Sequence, residues 1–211
     1  MKIVLSAAMS QDGYLDDASS QRRIFSCPQD LKEVEKMRAA CDAILVGAQT
    51  VRKDNPSLIT KDDKFINQRK KNGQPPDPVK VTITKSGALD PAAKFFCDGV
   101  GEKIVYYTDK IDQKLSGLAT IVPVDGVPAM LADLKARGIG HLLVEGGAKI
   151  LEQFFDAGTY DEFRLAIAPV RIGDASAPCL CRGSLCKAGR AIRKEPCGEM
   201  EVIHFVPTIR M

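Results

Sequence analysis

The sequence has no tryptophan and little other aromatic content, since aromatic residues make up 6% of its 211 residues. It therefore offers few ring surfaces on which the bases of single-stranded nucleic acid stack. The net charge of +3 is too small to indicate a nucleic-acid-binding protein. No unbroken apolar run reaches the about 20 residues of a membrane-spanning helix. We therefore predict neither nucleic acid nor a membrane as a partner.

Histidine is also scarce, because His141 and His204 are the only two copies. Two histidines provide few bases for a serine or cysteine nucleophile, and no G-x-S-x-G motif occurs. The H-x-E and P-C-x-x-C motifs of zinc deaminases are missing as well. Both histidines lie in predicted strands, and we interpret them as structural.

The seven cysteines are an odd number in a chain large enough to fold without disulfides, which predicts reduced thiols. Four of them follow the spacing C-x-C-x4-C-x10-C, namely Cys179, Cys181, Cys186 and Cys197. Four thiolates can hold zinc or an iron–sulfur cluster, but the paired C-x2-C of zinc sites is absent. We expect thiols and no metal. Reduced thiols and an N-terminus typical of a core strand, not a signal peptide, predict a cytoplasmic location.

Positive charge is concentrated in three places: Arg22–Arg23, residues 68–71 and residues 182–194. Each cluster is typical of a solvated loop. A small phosphorylated ligand is the functional alternative, because Arg and Lys neutralise phosphate.

Strands and helices alternate along the chain. The patterns predict strands at 2–8, 43–48, 79–84, 103–108, 120–124, 141–145, 161–173 and 199–209, and helices at 27–41, 128–138 and 148–157. The polar stretch 61–78, which contains glycine and proline, predicts a surface loop. Together these elements predict one α/β domain over residues 1–211, with a mostly parallel central sheet flanked by helices and antiparallel strands near the C-terminus.

Polar residues and glycines follow three of the predicted strands, at the ends where ligands bind in open α/β sheets. The strongest of these features is V-E-G-G-A-K at 144–149. Gly146 and Gly147 lack Cβ atoms, and the following helix directs its N-terminal N–H groups to the same place, which suits a phosphate or pyrophosphate. A tight strand-to-helix turn explains the glycines equally, and Glu145 either accepts hydrogens from a ligand or caps a helix.

Several segments resemble, in order and spacing, the reductase family of riboflavin biosynthesis. The matching segments are S-x-D-G within 6–15, then 23–39, D-A-I-L-V-G-x-x-T-V-x-x-D-N-P within 42–58, E-G-G within 141–151, and 161–173. The resemblance implies a dihydrofolate-reductase-like fold, a homodimer, and NADPH-dependent reduction of a ribosylaminopyrimidine 5′-phosphate to its ribitylamino form. Hydride from the nicotinamide would reduce a C1′ imine, and no metal would be needed.

The resemblance also implies roles for individual positions. By this resemblance, the positions that match cofactor-binding residues of the family are Ala8, Thr50, Asp54, Gly146, Gly147, Ala148, Lys149, Ile150 and Leu151. Lys85 and Ser86 are the candidates for binding the adenosine 2′-phosphate. The positions that match substrate-binding residues of the family are Arg22 or Arg23, Arg38, Leu58, Lys61 and Glu145. Asp54 and Glu145 are the candidate catalytic residues.

Two positions differ from the bacterial reductase domains. Those domains have a lysine where this sequence has Ser6 and an arginine where it has Lys61. Both changes resemble the stand-alone reductases, which act before deamination of the pyrimidine, so we expect the 2,5-diamino substrate. At Ser6, another group or water must then support proton delivery. The alternatives are a dihydrofolate or pteridine reductase on the same fold and a non-catalytic nucleotide- or metal-binding regulator.

Overall fold

A computed structural model describes residues 1–19, 23–180 and 185–208. Within these ranges the chain forms nine β-strands and six α-helices. The strands are β1 (Lys2–Ser10), β2 (Ala43–Gly47), β3 (Val79–Thr84), β4 (Lys103–Tyr107), β5 (Thr120–Pro123), β6 (His141–Val144), β7 (Glu162–Ala168), β8 (Arg190–Cys197) and β9 (Met200–Val206). The helices are α1 (Pro28–Ala40), α2 (Ala48–Asp54), α3 (Asp63–Lys71), α4 (Lys94–Cys97), α5 (Val127–Ala136) and α6 (Ala148–Ala157).

The structure divides into two compact units. Unit 1 comprises Met1 and Glu35–Leu143, and unit 2 comprises the described residues of Lys2–Val34 and Val144–Met211. The division falls within α1 and at the end of β6. The single domain over residues 1–211 stays a prediction.

In unit 1, the strand order is β5-β4-β3-β2-β6, and the pairs β2/β3, β3/β4 and β4/β5 are parallel. All five residues of β2 are buried, as expected for the apolar run of a parallel strand. In unit 2, the order is β1-β7-β9-β8, with β1 parallel to β7 and the later pairs antiparallel. The predicted α/β class, the mostly parallel strands and the antiparallel C-terminal strands are confirmed.

The loop predicted at 61–78 is wrong, because α3 occupies Asp63–Lys71. Its Asp62 side chain accepts a hydrogen bond from the Lys64 N–H at 2.8 Å and caps the helix. The prolines that suggested a loop follow the helix. Its one fully buried residue is Arg69, so the helix has no apolar stripe that a periodicity search would find.

Two further elements differ from the sequence predictions. The helix predicted at 27–41 is present as α1, but its apolar residue Leu31 is 47% exposed and its one fully buried residue is the charged Asp30. Strand β8 was not predicted, because its side chains are charged and mostly exposed and its pairing with β9 is a long-range contact. The short helices α2 and α4 were missed as well. None of the described helices has the length and apolar character to span a bilayer.

Candidate active site

The end of β2 leads directly into α2, which carries two of the predicted cofactor residues. Thr50 and Asp54 are both half-buried and lie four positions apart, so they share one face of this helix. The helix has no acidic residue in its first turn and no side-chain cap at Gly47. The strand is therefore followed by a helix that has a hydroxyl and a carboxylate on one face.

The Asn55-Pro56 sequence after α2 has a structural role. Asn55 adopts the left-handed conformation with φ 43°, and its side chain accepts a hydrogen bond from the Lys94 N–H at 2.7 Å. Ser57 donates to Asp98 Oδ2 at 2.6 Å. Leu58, a predicted substrate residue, is 1% exposed and has a positive φ of 50°, which is uncommon for a non-glycine residue. Its side chain is part of the core, so we expect any ligand contact to come from its backbone.

Glu35 on α1 holds the segment that begins with Lys61, one of the predicted substrate residues. Its Oε1 accepts hydrogen bonds from the Lys61 N–H at 2.9 Å and the Asp62 N–H at 2.8 Å. Arg38 follows Glu35 by three positions and therefore lies on the same side of α1. The Lys61 side chain is exposed and Arg38 is half-buried. Lys61 thus belongs to the segment that Glu35 holds, and Arg38 lies one turn further along α1.

Lys85 and Ser86 lie in an exposed turn directly after β3. The Gly87 N–H donates to Thr84 Oγ1 at 3.1 Å, and the Ala88 N–H donates to Ser86 Oγ at 3.4 Å. Arg52 of α2 reaches this turn, since its Nη1 donates to the Ala88 carbonyl at 3.0 Å. Sequence reasoning did not assign Arg52 a role, because a contact across 36 positions leaves no local pattern.

In unit 2, the two glycines between β6 and α6 have the properties predicted for a close backbone approach. Gly146 is buried with φ 88°, and its peptide bond to Gly147 is cis. A Cβ atom on Gly146 would lie 3.4 Å from Leu151 Cδ1, which is ordinary contact, so a side chain there would be strained by its φ and not by lack of space. Gly147 caps α6 without a side-chain hydrogen bond, and the first turn contains no acid.

The start of α6 fits the pyrophosphate of a dinucleotide through its backbone. Ala148 and Lys149 lie in the first turn, where N–H groups have no partner within the helix and the helix dipole favours anions. Ile150 and Leu151 are 7% and 0% exposed, so their side chains belong to the core. Glu145 is half-buried beside these glycines. The residues present fit a nicotinamide dinucleotide, because the backbone of this turn is open to the approach of a phosphate and the Glu145 carboxylate lies beside it.

The S-x-D-G motif at the end of β1 is a structural turn. Ser10 Oγ donates to Asp12 Oδ1 at 2.6 Å, and Asp12 Oδ2 accepts from the Gly173 N–H at 2.8 Å. These hydrogen bonds, above all the one from Ser10, lower the pKa of Asp12 to about 2. Ala8, predicted to contact the cofactor, is half-buried on β1 opposite Ala166. Ser6 is buried opposite Arg164.

The basic clusters separate into exposed and structural residues. Arg22 and Arg182 lie outside the described residues, whereas Arg23 is exposed and lies 3.6 Å from Asp17. Within 68–71, Arg69 is 2% exposed and is therefore not available to a phosphate. On β8, Arg193 pairs with Glu195 at 3.3 Å and Lys194 with Glu201 at 2.7 Å.

The cysteine spacing does not produce a metal centre in the part of the chain that the structure describes, where no group of three or more His, Cys, Asp or Glu side chains can hold a metal ion. Cys181 and the Cys186 side chain lie outside that part. Cys197 lies next to Cys27, whose thiol donates to the Cys197 carbonyl at 3.2 Å, and burial raises the pKa of Cys197. His204 contacts Glu162 at 2.6 Å within the sheet, and His141 contacts the Ala40 carbonyl at 3.0 Å.

Comparison with known proteins identifies a family. The family described as RibD C-terminal domain matches residues 1–200. The chain is 29% identical over 205 residues to 2,5-diamino-6-ribosylamino-4(3H)-pyrimidinone 5′-phosphate reductase of Archaeoglobus fulgidus, covering 93% of this chain and 94% of that protein. It is 27% identical over 190 residues to the riboflavin biosynthesis protein RibD of Bacillus amyloliquefaciens, covering 86% of this chain and 49% of that protein. The chain therefore spans about half the length of that RibD protein.

Solved structures agree with the fold. RibD of Acinetobacter baumannii superposes with a TM-score of 0.81 at 21% identity, covering 98% of this chain and 58% of that one. A pyrimidine reductase-like protein of Corynebacterium diphtheriae gives 0.80 at 21% identity, covering 98% and 92%. The predicted dihydrofolate-reductase-like fold is confirmed.

Proposed function

Since the chain belongs to the RibD C-terminal domain family, we propose that it is a reductase of riboflavin biosynthesis. The proposed reaction converts a ribosylaminopyrimidinone 5′-phosphate into its ribitylamino form. The observation that carries the proposal is the likeness to the Archaeoglobus fulgidus reductase over nearly the full length of both chains. The resemblance seen in short motifs thus extends over almost the whole sequence.

NADPH is the proposed cofactor, because this family of reductases implies a nicotinamide and the Lys85–Ser86 turn offers a cation and a hydroxyl for a 2′-phosphate. When bound, the cofactor supplies the hydride that adds to C1′ of the ring-opened ribosyl imine. A proton added to the imine nitrogen completes the amine. The chain's own contribution is to orient the two ligands and to neutralise their charge.

The residue roles remain those predicted from the resemblance. In unit 1, we assign Thr50, Asp54, Lys85 and Ser86 to the cofactor, and Arg38, Leu58 and Lys61 to the substrate. In unit 2, we assign Ala8 and the segment Gly146–Leu151 to the cofactor, and Arg23 and Glu145 to the substrate. Arg22, which lies outside the described residues, remains the predicted alternative to Arg23. Arg38 and Lys61 are proposed to neutralise the 5′-phosphate, which the contact of Glu35 with the Lys61 N–H, one turn from Arg38 on α1, supports. The homodimer and the cytoplasmic location also remain predictions.

We propose the 2,5-diamino pyrimidine as the substrate, which is the substrate named for the Archaeoglobus fulgidus relative. The alternative of a dihydrofolate or pteridine reductase gains no support from the matched proteins. Neither does a metal-binding regulator gain support from the described cysteines.

One activity assay with several combinations of substrate and cofactor tests the proposal. The purified protein is offered the diamino and the deaminated ribosylaminopyrimidine phosphates, each with NADPH or NADH, and oxidation of the nicotinamide is followed by absorbance. We expect NADPH oxidation only in the presence of a pyrimidine phosphate, and faster oxidation with the diamino compound. Dihydrofolate serves as the control substrate and should give no oxidation. Absence of turnover with both pyrimidines at high enzyme concentration would contradict the proposal.

A further inference from the structure

Arg52 connects α2 to the turn that follows β3. Its Nη1 donates to the Ala88 carbonyl at 3.0 Å, while its Nε and Nη2 lie 3.3 Å and 3.1 Å from Gln49 Oε1 on the same helix. The guanidinium is a planar fork, and here each side of the fork has its own acceptor. These contacts fix the orientation of the guanidinium even though the residue is exposed.

The turn that Arg52 contacts is fixed from its other side as well. The Lys110 N–H donates to the Lys85 carbonyl at 2.9 Å. Gly87 packs so closely on the next loop that an added Cβ would lie 2.6 Å from the Asp112 backbone nitrogen. The position of Ser86 is therefore determined by backbone contacts on one side and by Arg52 on the other.

The polar groups at this turn favour an anion. Lys85 is exposed, and Ser86 Oγ accepts the Ala88 N–H, which leaves the hydroxyl hydrogen of Ser86 as a donor. Asp90 follows the turn in sequence and the backbone of Asp112 packs on Gly87, and their side chains accept hydrogen bonds from the Ala92 N–H at 2.9 Å and the Lys114 N–H at 3.0 Å. Each carboxylate is thus directed into its own turn.

We propose that Arg52 determines the preference of this chain for a 2′-phosphorylated dinucleotide over its 2′-hydroxyl counterpart. It does so as a positioning residue, because it holds the backbone that carries Lys85 and Ser86, and it adds a second positive charge beside them. The inference deepens the proposed function and depends on it for the identity of the cofactor.

The test separates the 2′-phosphate from the rest of the cofactor by measuring binding of two fragments calorimetrically. Adenosine 2′,5′-bisphosphate and adenosine 5′-monophosphate differ only in that phosphate. We expect R52Q to weaken binding of the bisphosphate about fivefold, since an exposed charge contact is worth up to about this factor. Binding of the monophosphate should change less than about twofold, because that ligand lacks the group that Arg52 serves.

Two further variants make the result specific. R52K keeps the charge but replaces the planar fork with a single ammonium nitrogen, so we expect an intermediate loss of bisphosphate affinity. K135Q removes an exposed charge from α5 of the same unit and should leave both affinities unchanged. With intact enzyme, the ratio of kcat/KM for NADPH to that for NADH should fall in the order wild type, R52K, R52Q.

The possible failures are distinguishable. If wild-type protein binds both fragments equally, the 2′-phosphate site itself is refuted, and with it both this inference and the proposed use of NADPH. If wild-type protein prefers the bisphosphate and R52Q keeps that preference, only the role of Arg52 is refuted. An equal loss of both affinities in R52Q would show a merely structural role and would also refute the inference.

Discussion

Both units of this chain bury cations, but the partners of those cations differ. In unit 1, Arg69 donates to the carbonyls of Ala39, Cys41 and Pro75 at 2.9, 2.6 and 2.8 Å. Lys80, which is fully buried, donates to the Asp98 carbonyl at 2.6 Å. These acceptors are neutral dipoles.

In unit 2, the buried cation has an anionic partner. Arg164 Nη2 lies 2.6 Å from Asp30 Oδ1, and their side chains are 7% and 1% exposed. Removing a cation therefore has different consequences in the two units. In unit 1 it leaves unsatisfied carbonyls, whereas in unit 2 it leaves a buried charge without a partner, which is the more costly result.

The largest expected effect comes from breaking the ion pair of unit 2. R164M should lower the free energy of unfolding by about 3–5 kcal/mol, because Asp30 stays buried without its cation. The double variant D30N/R164M contains no charge at this place and should recover a large part of that loss. Urea unfolding measures both values.

The exposed pair Lys194–Glu201, at 2.7 Å, is the control for this comparison. K194M should cost less than about 1 kcal/mol, since solvent screens an exposed pair. If D30N/R164M were as unstable as R164M, the loss of stability in R164M would come from lost packing and not from the unpaired Asp30 carboxylate.

The next largest effect is expected at Arg69. R69M should cost about 2–3 kcal/mol, because three carbonyls, of which that of Cys41 is buried, lose a charged donor but no unpaired charge remains. R69K should recover little, since an ammonium does not reproduce the fork that reaches all three acceptors. K70M, at the exposed neighbouring position, should stay within about 0.5 kcal/mol of the wild type. A loss at Arg69 larger than that at Arg164 would reverse the comparison between the units.

A smaller and pH-dependent effect is expected at Lys80. Burial lowers its pKa from 10.5 to about 8. Between these pH values the unfolded chain binds more protons than the folded chain, so the wild type gains stability as the pH rises. K80M lacks this group. The free energy of unfolding of the wild type, relative to that of K80M, should therefore rise by at most about 1.4 kcal/mol per pH unit in that interval.

Denaturant unfolding of wild type and K80M at pH values from 7 to 10 tests this expectation. Other titrating groups are common to both proteins and cancel in the difference. A difference in unfolding free energy that is independent of pH would show that Lys80 has an ordinary pKa in the folded chain.

Local sequence patterns predicted the apolar and glycine-bounded elements of the fold. The run 43–48 became β2, and the helix predicted at 148–157 matches α6 (Ala148–Ala157). Both carry their signal in adjacent residues, as a buried apolar run and as a glycine turn followed by an amphipathic helix. The glycine turn that precedes α6 was predictable for the same reason, while its role in phosphate binding stays a prediction.

The elements that were missed depend on distant partners. Asp30 is buried on α1 because Arg164 lies beside it, and Arg69 is buried because three carbonyls from two segments converge on it. No periodicity in the sequence encodes such contacts. Likewise, the T-V-R-K-D segment shows Arg52 as one charge among several, and only the fold brings it to Ala88. Charged residues were therefore predicted least well, whether they serve the core or the candidate site.

An exposed cation completes the comparison, because it is expected to affect the reaction and not the fold. The Lys61 side chain is exposed, and its segment is held by the backbone contact to Glu35, which K61A preserves. The free energy of unfolding should therefore change by less than about 0.5 kcal/mol. If Lys61 neutralises the substrate phosphate, KM for the pyrimidine phosphate should rise about fivefold, with a smaller change in kcat and a weaker dependence of KM on salt. The control is K64A, which removes another exposed lysine nearby in sequence and should change neither KM nor kcat.

Steady-state kinetics at two salt concentrations distinguishes the variants. An unchanged KM in K61A would show that the 5′-phosphate is bound elsewhere, since the fold is intact in that protein.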